Sequence, residues 1–598
     1  MHDVVIRGGT VVDGSGAARF AGDVAIDGDR IVAVGDVSAR GRREVDADGL
    51  LVTPGWVDIH THYDGQALWD PYLTPSSWHG CTSVVAGNCG VGFAPVAPGR
   101  HDWLIELMES VEDIPGSALS EGIEWRWESF AEYLDALEAT PRAIDIGAQV
   151  PHCAVRAYVM DDRCITDLTA DADDIRAMAE IVRDGLRAGA LGFSTSRTAV
   201  HRTKDGSEVP GTFAGEAELY GIAAGMREAG HGVFQMASDL GEQDGDLRWM
   251  TELSKTYGVP VSVNVFQSGD DPGKYRRILA GMVQADAVGA RLNAQVSGRT
   301  AGLLLSLDGT MHPFMSKSAY REIRNLPHAE RVRRMLEPEV RKAILADDGR
   351  RLSPQAKLYL TSWHKMFRLG DPPNYEPDRS ECFAERAKRE GCTPEELAYD
   401  TLLEFDGRGL IYFPLLNYSD YSLDPSFEMM QAPNTHFGGS DGGAHCGVIC
   451  DVSLPTFNLA YWCRDRVRGE RLPIEFIVHK QTMGTASLHG LADRGRLAPG
   501  YKADVNLIDF DRVNVEAPHM TFDLPANARR LVQNARGYHM TLKSGVPIFE
   551  GGETTGAMPG GLIRGRRRAR SATHAATPAV AAVHLADQAE ALVRSFMR

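Results

Sequence analysis

His60 and His62 stand one residue apart at the end of Thr53-Pro54-Gly55-Trp56-Val57-Asp58-Ile59, a stretch that reads as a buried strand. In an extended chain positions i and i+2 share a face, so the two imidazoles can converge on one cavity. Together they supply half of a site for zinc or a similar divalent ion. Paired histidines also occur on ordinary surfaces, so other residues have to decide. Cys89, in Ala86-Gly87-Asn88-Cys89-Gly90, lies between residues that permit a tight turn. A thiol there is open to three roles: metal ligand, nucleophile or packing, and the nearby His pair favours the first. Asp441, in Gly438-Gly439-Ser440-Asp441-Gly442-Gly443-Ala444-His445, is a carboxylate at the tip of an apolar strand. It reads as a metal ligand and general base. Three weaker candidates follow other strand ends. His152 could polarise a substrate, and Arg197 and Arg299 could each clamp a substrate carboxylate bidentately, with structural roles competing in every case.

These residues need a scaffold that brings distant segments together. Apolar strand-like runs alternate with helical patterns such as Asp171 to Ala188 and Glu216 to Ala229, the pattern of βα units around a parallel sheet. Eight runs can be counted: Val52 to His62, Thr82 to Gly90, Ile144 to His152, Ala190 to Ser196, Gly232 to Ser238, Pro260 to Gln267, Arg291 to Ser297 and His436 to Asp441. Eight such units favour a closed (β/α)8 barrel, whose catalytic groups sit at the C-terminal ends of the strands. Each candidate above falls at or just past such an end.

The two ends of the chain have a different texture. Short β-like runs with Asp-Gly punctuation occupy residues 1–53, and a similar turn-and-strand pattern returns at 491–556. The termini are therefore expected to build one small β-sandwich beside a barrel spanning 54–490. The interval of about 300–435 is too long for a βα crossover and reads as an inserted subdomain, with helices expected over Ala319 to Leu345 and Thr393 to Phe405. A further strand candidate at Gly409 to Leu416 leaves the count of eight open by one. Residues 557–598 form a basic linker, Arg564 to Arg570, and a short amphipathic helix carrying Leu585, Ala589, Leu592, Val593 and Phe596.

Composition sets outer limits. The 598 residues exceed one hydrophobic core, and 43% hydrophobic with 24% charged residues is ordinary for a globular protein. A net charge of -18 argues against a general nucleic-acid binder, and no apolar run is long enough to predict a membrane span. Nine cysteines, sparse and odd in number, point to a reducing compartment, so a cytoplasmic protein is expected. A small molecule is the expected partner, and self-association into a homo-oligomer is left open.

The chain resembles the amidohydrolase superfamily and, within it, the N-acyl-D-amino-acid deacylase (D-aminoacylase) family. The resemblance is carried by Pro54 to Asp64, Gly87 to Gly90, Ala190 to Thr195, Gly439 to Gly442 and Ala492 to Asp504, in the family's order along nearly the whole chain. It implies a deformed barrel bearing a sandwich made from both termini, and zinc-assisted hydrolysis of a non-peptide amide. It also implies that His60, His62, Cys89 and Asp441 hold metal, that Cys89 replaces a carboxylated lysine, and that Asp441 shuttles protons. The family's histidines at the ends of strands five and six are missing: those runs carry Gln235 and Asn264, poor substitutes for imidazole on zinc. The reduced set suits one divalent ion better than two. The family pattern gives the turn holding His445, Cys446 and Cys450 a structural role. Two other readings remain at this stage: the same scaffold acting on a cyclic amide or modified peptide, and a metal-poor pseudoenzyme or binding protein.

Overall fold

Gly55 divides the stretch before His60 between two sheets. Leu51–Pro54 pairs with Thr10 and Val11 on one side and with Val505–Ile508 on the other, whereas Trp56–Asp58 opens the barrel. The sequence reads this as one strand, but the chain changes sheets at the glycine. A Cβ on Gly55 would lie 2.3 Å from the Thr82 side chain, so no other residue fits the crossing. The computed structural model of the protein describes residues 1–167, 169–240, 243–347 and 354–565.

Eight parallel strands form the barrel: Trp56–Asp58, Cys81–Ala86, Asp145–Pro151, Gly192–Arg197, Val233–Ser238, Val261–Asn264, Leu292–Val296 and Thr435–Phe437. Each pairs with its neighbour in barrel order, as strands adjacent along a chain of βα units tend to do. Just past their ends the first and eighth strands meet: His62 N–H donates to Gly442 O at 2.7 Å and Asp441 N–H to His60 O at 3.2 Å. The closure therefore sets the His60–His62 segment directly beside Asp441. The expected helices lie outside, at Ala172–Ala188, capped by Asp171 with Asp174, and at Glu216–Ala229, ended by the left-handed Gly230. Inside the barrel, Gln149, Ser194, Gln235, Ser262 and Gln295 are fully buried polar residues on adjacent strands. Such an interior can orient ligands by hydrogen bonds where an aliphatic one could not.

Both termini contribute to a nine-stranded sheet. His2–Val11 pairs Gly41–Asp46 with its first half and Leu51–Pro54 with its second, and Val505–Ile508 leads on to Tyr538–Lys543, Val546–Glu550 and Glu553–Thr554. Its core is aliphatic, with Ile6, Val24, Ile26, Val505, Leu507 and Leu542 all buried. Between the seventh and eighth barrel strands, Gly302–Leu305, Ile411–Pro414 and Phe367–Arg368 form a separate antiparallel sheet. The extra strand candidate thus belongs to this inserted unit, and the barrel keeps eight strands. The helix expected over Ala319 to Leu345 is instead three short ones, Ser318–Arg321, His328–Met335 and Pro338–Ala346. Pro327 and Pro338 lack the amide proton a continuous helix needs and start new helices instead.

The chain beyond Met558 runs along the start of the third barrel strand, where Ile563 N–H donates to Ile146 O at 2.7 Å. Of the basic cluster, Arg564 pairs with Asp135 and Glu138, each at 2.7 Å, while Arg566 to Arg570 and the expected C-terminal helix lie outside the described residues. Among the described residues no helix is long and apolar enough to cross a membrane.

Candidate metal centre

His60, His62, Cys89 and Asp441 come together at the C-terminal mouth of the barrel. Gln295, near the end of the seventh strand, holds the His60 ring by a 2.6 Å contact to Nδ1. That leaves Nε2 facing Cys89 Sγ at 3.3 Å and Asp441 Oδ1 at 3.3 Å. Orientation of one imidazole nitrogen by a partner on the other is how proteins preset histidine ligands. The His62 ring lies 5.6 Å from that of His60, with Nε2 3.8 Å from the same Asp441 oxygen. One ligand atom each from His60, His62 and Cys89 lies within 4.8 Å of the other two. These residues are enclosed, whereas the Asp441 side chain is 23% exposed, so solvent reaches the cluster from the aspartate side.

The backbone is strained to achieve this. Cys89 and Asp441 both adopt left-handed conformations, with φ of 57° and 50°, which cost non-glycine residues about 1–2 kcal/mol each. Gln235 explains how Cys89 is kept there: its Oε1 accepts the Cys89 N–H at 2.9 Å. The side chain standing where the resemblance would place a histidine therefore positions the thiol. Asn264 makes no such contact, and its Oδ1 is buried without a hydrogen bond.

Three residues that sequence reasoning did not assign to the site also reach it. Glu112, the last residue of the helix His101–Glu112, is 1% exposed, with Oε1 3.4 Å from His62 Nδ1 and Oε2 3.5 Å from His445 Nε2. His201, on the loop after the fourth strand, brings a ligand atom within 4.8 Å of those of Cys89 and Glu112. His445 follows Asp441 closely enough for sequence proximity to suggest it, yet Glu112 and His201 sit in segments with no motif. Cys446 and Cys450 point elsewhere, their sulfurs 3.9 Å from the carbonyl oxygens of Gly443 and Leu531.

The three remaining candidates differ in their freedom. His152 is enclosed with both nitrogens engaged, Nδ1 2.8 Å from Thr195 Oγ1 and Nε2 2.8 Å from Glu218 Oε1. Arg299 is 1% exposed, donates to Cys450 O and Asp451 Oδ1, and lies 3.9 Å from the Tyr375 ring centre. Arg197 keeps a 20% exposed side chain at the end of the fourth strand, between Phe213 and Trp249, with one N–H on Ala214 O and Nε 3.4 Å from Asp246 Oδ1.

Electrostatically the cluster calls for a cation. Burial, with the nearby Glu112 and Asp441 carboxylates, pushes the Cys89 thiol well above its ordinary value, and burial beside Asp441 and Asp64 does the same to Glu112. Burial and neighbouring His60 hold His62 well below the usual imidazole value, so its nitrogens stay free as donors to an ion. Both His62 nitrogens and Glu112 Oε1 are buried without a hydrogen bond. Orphaned nitrogen and carboxylate atoms beside a thiol fit a borderline-soft divalent ion such as zinc.

The protein belongs to the amidohydrolase family, whose match covers residues 43–549. It is an enzyme class that hydrolyses carbon–nitrogen bonds other than peptide bonds. Two curated relatives are similar over nearly their whole length. D-aminoacylase of Alcaligenes xylosoxydans xylosoxydans is 30% identical over 94% of this chain and 97% of its own. N-acyl-D-glutamate deacylase of the same organism is 30% identical over 92% of this chain and 93% of its own. A solved D-aminoacylase structure, described as having a binuclear metal center, superposes with a TM-score of 0.63 at 26% identity, covering 95% of this chain and 100% of that one.

Proposed function

We propose that this protein is a metal-dependent deacylase of N-acyl-D-amino acids. The observation that carries the reading is the convergence of His60, His62 and Cys89 at the barrel mouth, with Asp441 Oδ1 3.3 Å from His60 Nε2 and 3.8 Å from His62 Nε2, in a chain alike over nearly its full length to proteins of that activity. One divalent ion, most simply zinc, would be held by these four residues. When bound, it supplies Lewis acidity toward the scissile carbonyl and lowers the pKa of water. Asp441, at the open edge of the set, takes the proton of the attacking water and delivers it to the leaving amine. Gln295 and Gln235 keep His60 and Cys89 in place. Arg197, already paired with Asp246 but the least enclosed of the three substrate-binding candidates, is the one we assign to a substrate carboxylate. We also place the protein in the cytoplasm, a reading supported by its nine free cysteines.

A hydrolysis screen of N-acetyl-D- and N-acetyl-L-amino acids with zinc-loaded protein tests the proposal. Release of D-amino acids well above that of their L-counterparts is expected. Absence of hydrolysis of every N-acyl-amino acid by protein with bound zinc would overturn it.

A further inference from the structure

The strand-five and strand-six positions hold Gln235 and Asn264, yet the cluster is richer in donors than the first four residues account for. Cys89 belongs to two triads. One is completed by His60 and His62, the other by Glu112 and His201, and in each the three ligand atoms lie within 4.8 Å of one another.

Glu112 is the more telling residue. It ends a helix, where the backbone carbonyls already present negative charge, and it is 1% exposed. Its ion-pair contacts are to His62 and His445, and no lysine or arginine reaches it among the described residues. Oε1 has no hydrogen bond. A carboxylate so placed is costly unless a positive charge sits beside it. His201 is supported independently. Ser196 Oγ lies 3.0 Å from its Nδ1, which leaves Nε2 as the nitrogen without a hydrogen bond. The loop carrying it is tied to the same helix by Lys204 Nζ to Glu109 Oε2 at 2.7 Å, three residues before Glu112.

We propose that Cys89, Glu112 and His201 form a second divalent-cation site that shares the Cys89 thiolate with the His60, His62 and Asp441 set. Its donors come from a helix and a loop, where the resembling family uses the strand ends. A set of one sulfur, one oxygen and one imidazole nitrogen suits zinc or cobalt(II) and is too soft for magnesium or calcium. The inference rests on the reading of Cys89 as a ligand of the first ion.

The test is a cobalt(II) titration of chelator-treated protein, followed by thiolate-to-cobalt absorption and by metal content after dialysis. The wild-type chain is expected to take up about two equivalents, and Glu112→Gln and His201→Gln about one each. The thiolate band should survive in both variants, because the first set still holds Cys89. His201 is partly exposed on its loop, so its variant has little reason to misfold, and circular dichroism melting checks both. Uptake of one equivalent by all three proteins would overturn the second site while leaving the first intact. Loss of every equivalent in Glu112→Gln, with two retained in His201→Gln, would also overturn it and make Glu112 a positioning residue for His62. No uptake by the wild-type chain would remove both this site and the proposed metal-dependent function.

Discussion

At the N-terminal end of the barrel, Asp145 is 4% exposed and accepts from Lys543 at 2.8 Å, Arg494 at 2.6 Å and the Gly561 amide at 2.9 Å. Lys543 is answered again by both oxygens of Asp504 at 2.9 Å, and Arg494 by Asp493 and Ser83. None of these side chains has a buried polar atom without a partner. At the C-terminal end, Glu112, Gln235 and Asn264 each have one and His62 has two. Burial is similar, so enclosure alone does not explain the difference. The first cluster closes on itself and joins three segments of chain, Asp145 in the barrel with Arg494 and Lys543 from the C-terminal part. The second is built from equally distant segments but stops short of satisfying itself, as a site prepared for an ion should. The barrel rule of stability at one face and chemistry at the other is here a difference in hydrogen-bond closure.

The contrast can be broken from either side. Chelation should abolish turnover, a fall of about 10 000-fold or more, with activity returning on zinc addition. The same treatment should leave the Asp145 network intact, seen as a chelated protein that still unfolds cooperatively. Asp441→Asn should lower kcat by about 100- to 10 000-fold, with the fold retained by circular dichroism; unchanged kcat would remove Asp441 from its role. Asp145→Asn should do the reverse, costing about 3–5 kcal/mol of stability in urea unfolding because Lys543 and Arg494 lose their shared partner, with metal content unchanged. Gln295→Ala should weaken metal binding by about 10–100-fold through loss of the His60 Nδ1 contact, as measured by competition with a chelator.

The smallest effect concerns acid. Burial alone would raise the Asp145 carboxyl, but Lys543 and Arg494 outweigh it and hold the group well below the usual carboxylate range. A depressed folded-state pKa gives stability that is fully present above the unfolded value of about 3.9 and lost as pH falls from there toward the folded value. The stability gap between wild type and Asp145→Asn should therefore be flat through neutral pH and narrow below about pH 4. A gap independent of pH in that range would show that the charge of Asp145 is not what stabilises the junction.

Residues whose placement follows from strand periodicity were legible in the sequence. His60, His62, Cys89 and Asp441 all follow apolar runs, and an eight-strand parallel order fixes which ends meet. Residues arriving on other elements were not. Glu112 is brought in by a helix and His201 by a loop, and neither segment has a period that points at the barrel mouth. Gln235 looked like a lost ligand because its type was read without its partner; the contact to the Cys89 amide is visible only in three dimensions. The partners of His152 and Arg299 were equally invisible in the sequence: a strand-end position says nothing of the contacts to Glu218 and Asp451. Proline spacing at Pro327 and Pro338 was available and would have divided the long helix expected there.

The orphaned cluster as a metal centre is tested most directly by the metal content of protein purified without added metal, beside that of a His60→Asn, His62→Asn double variant. At least about one equivalent of zinc or a similar ion is expected in the wild-type chain, and almost none in a variant that still folds. Equal metal in both, or none in the wild type even after zinc is supplied, would contradict it.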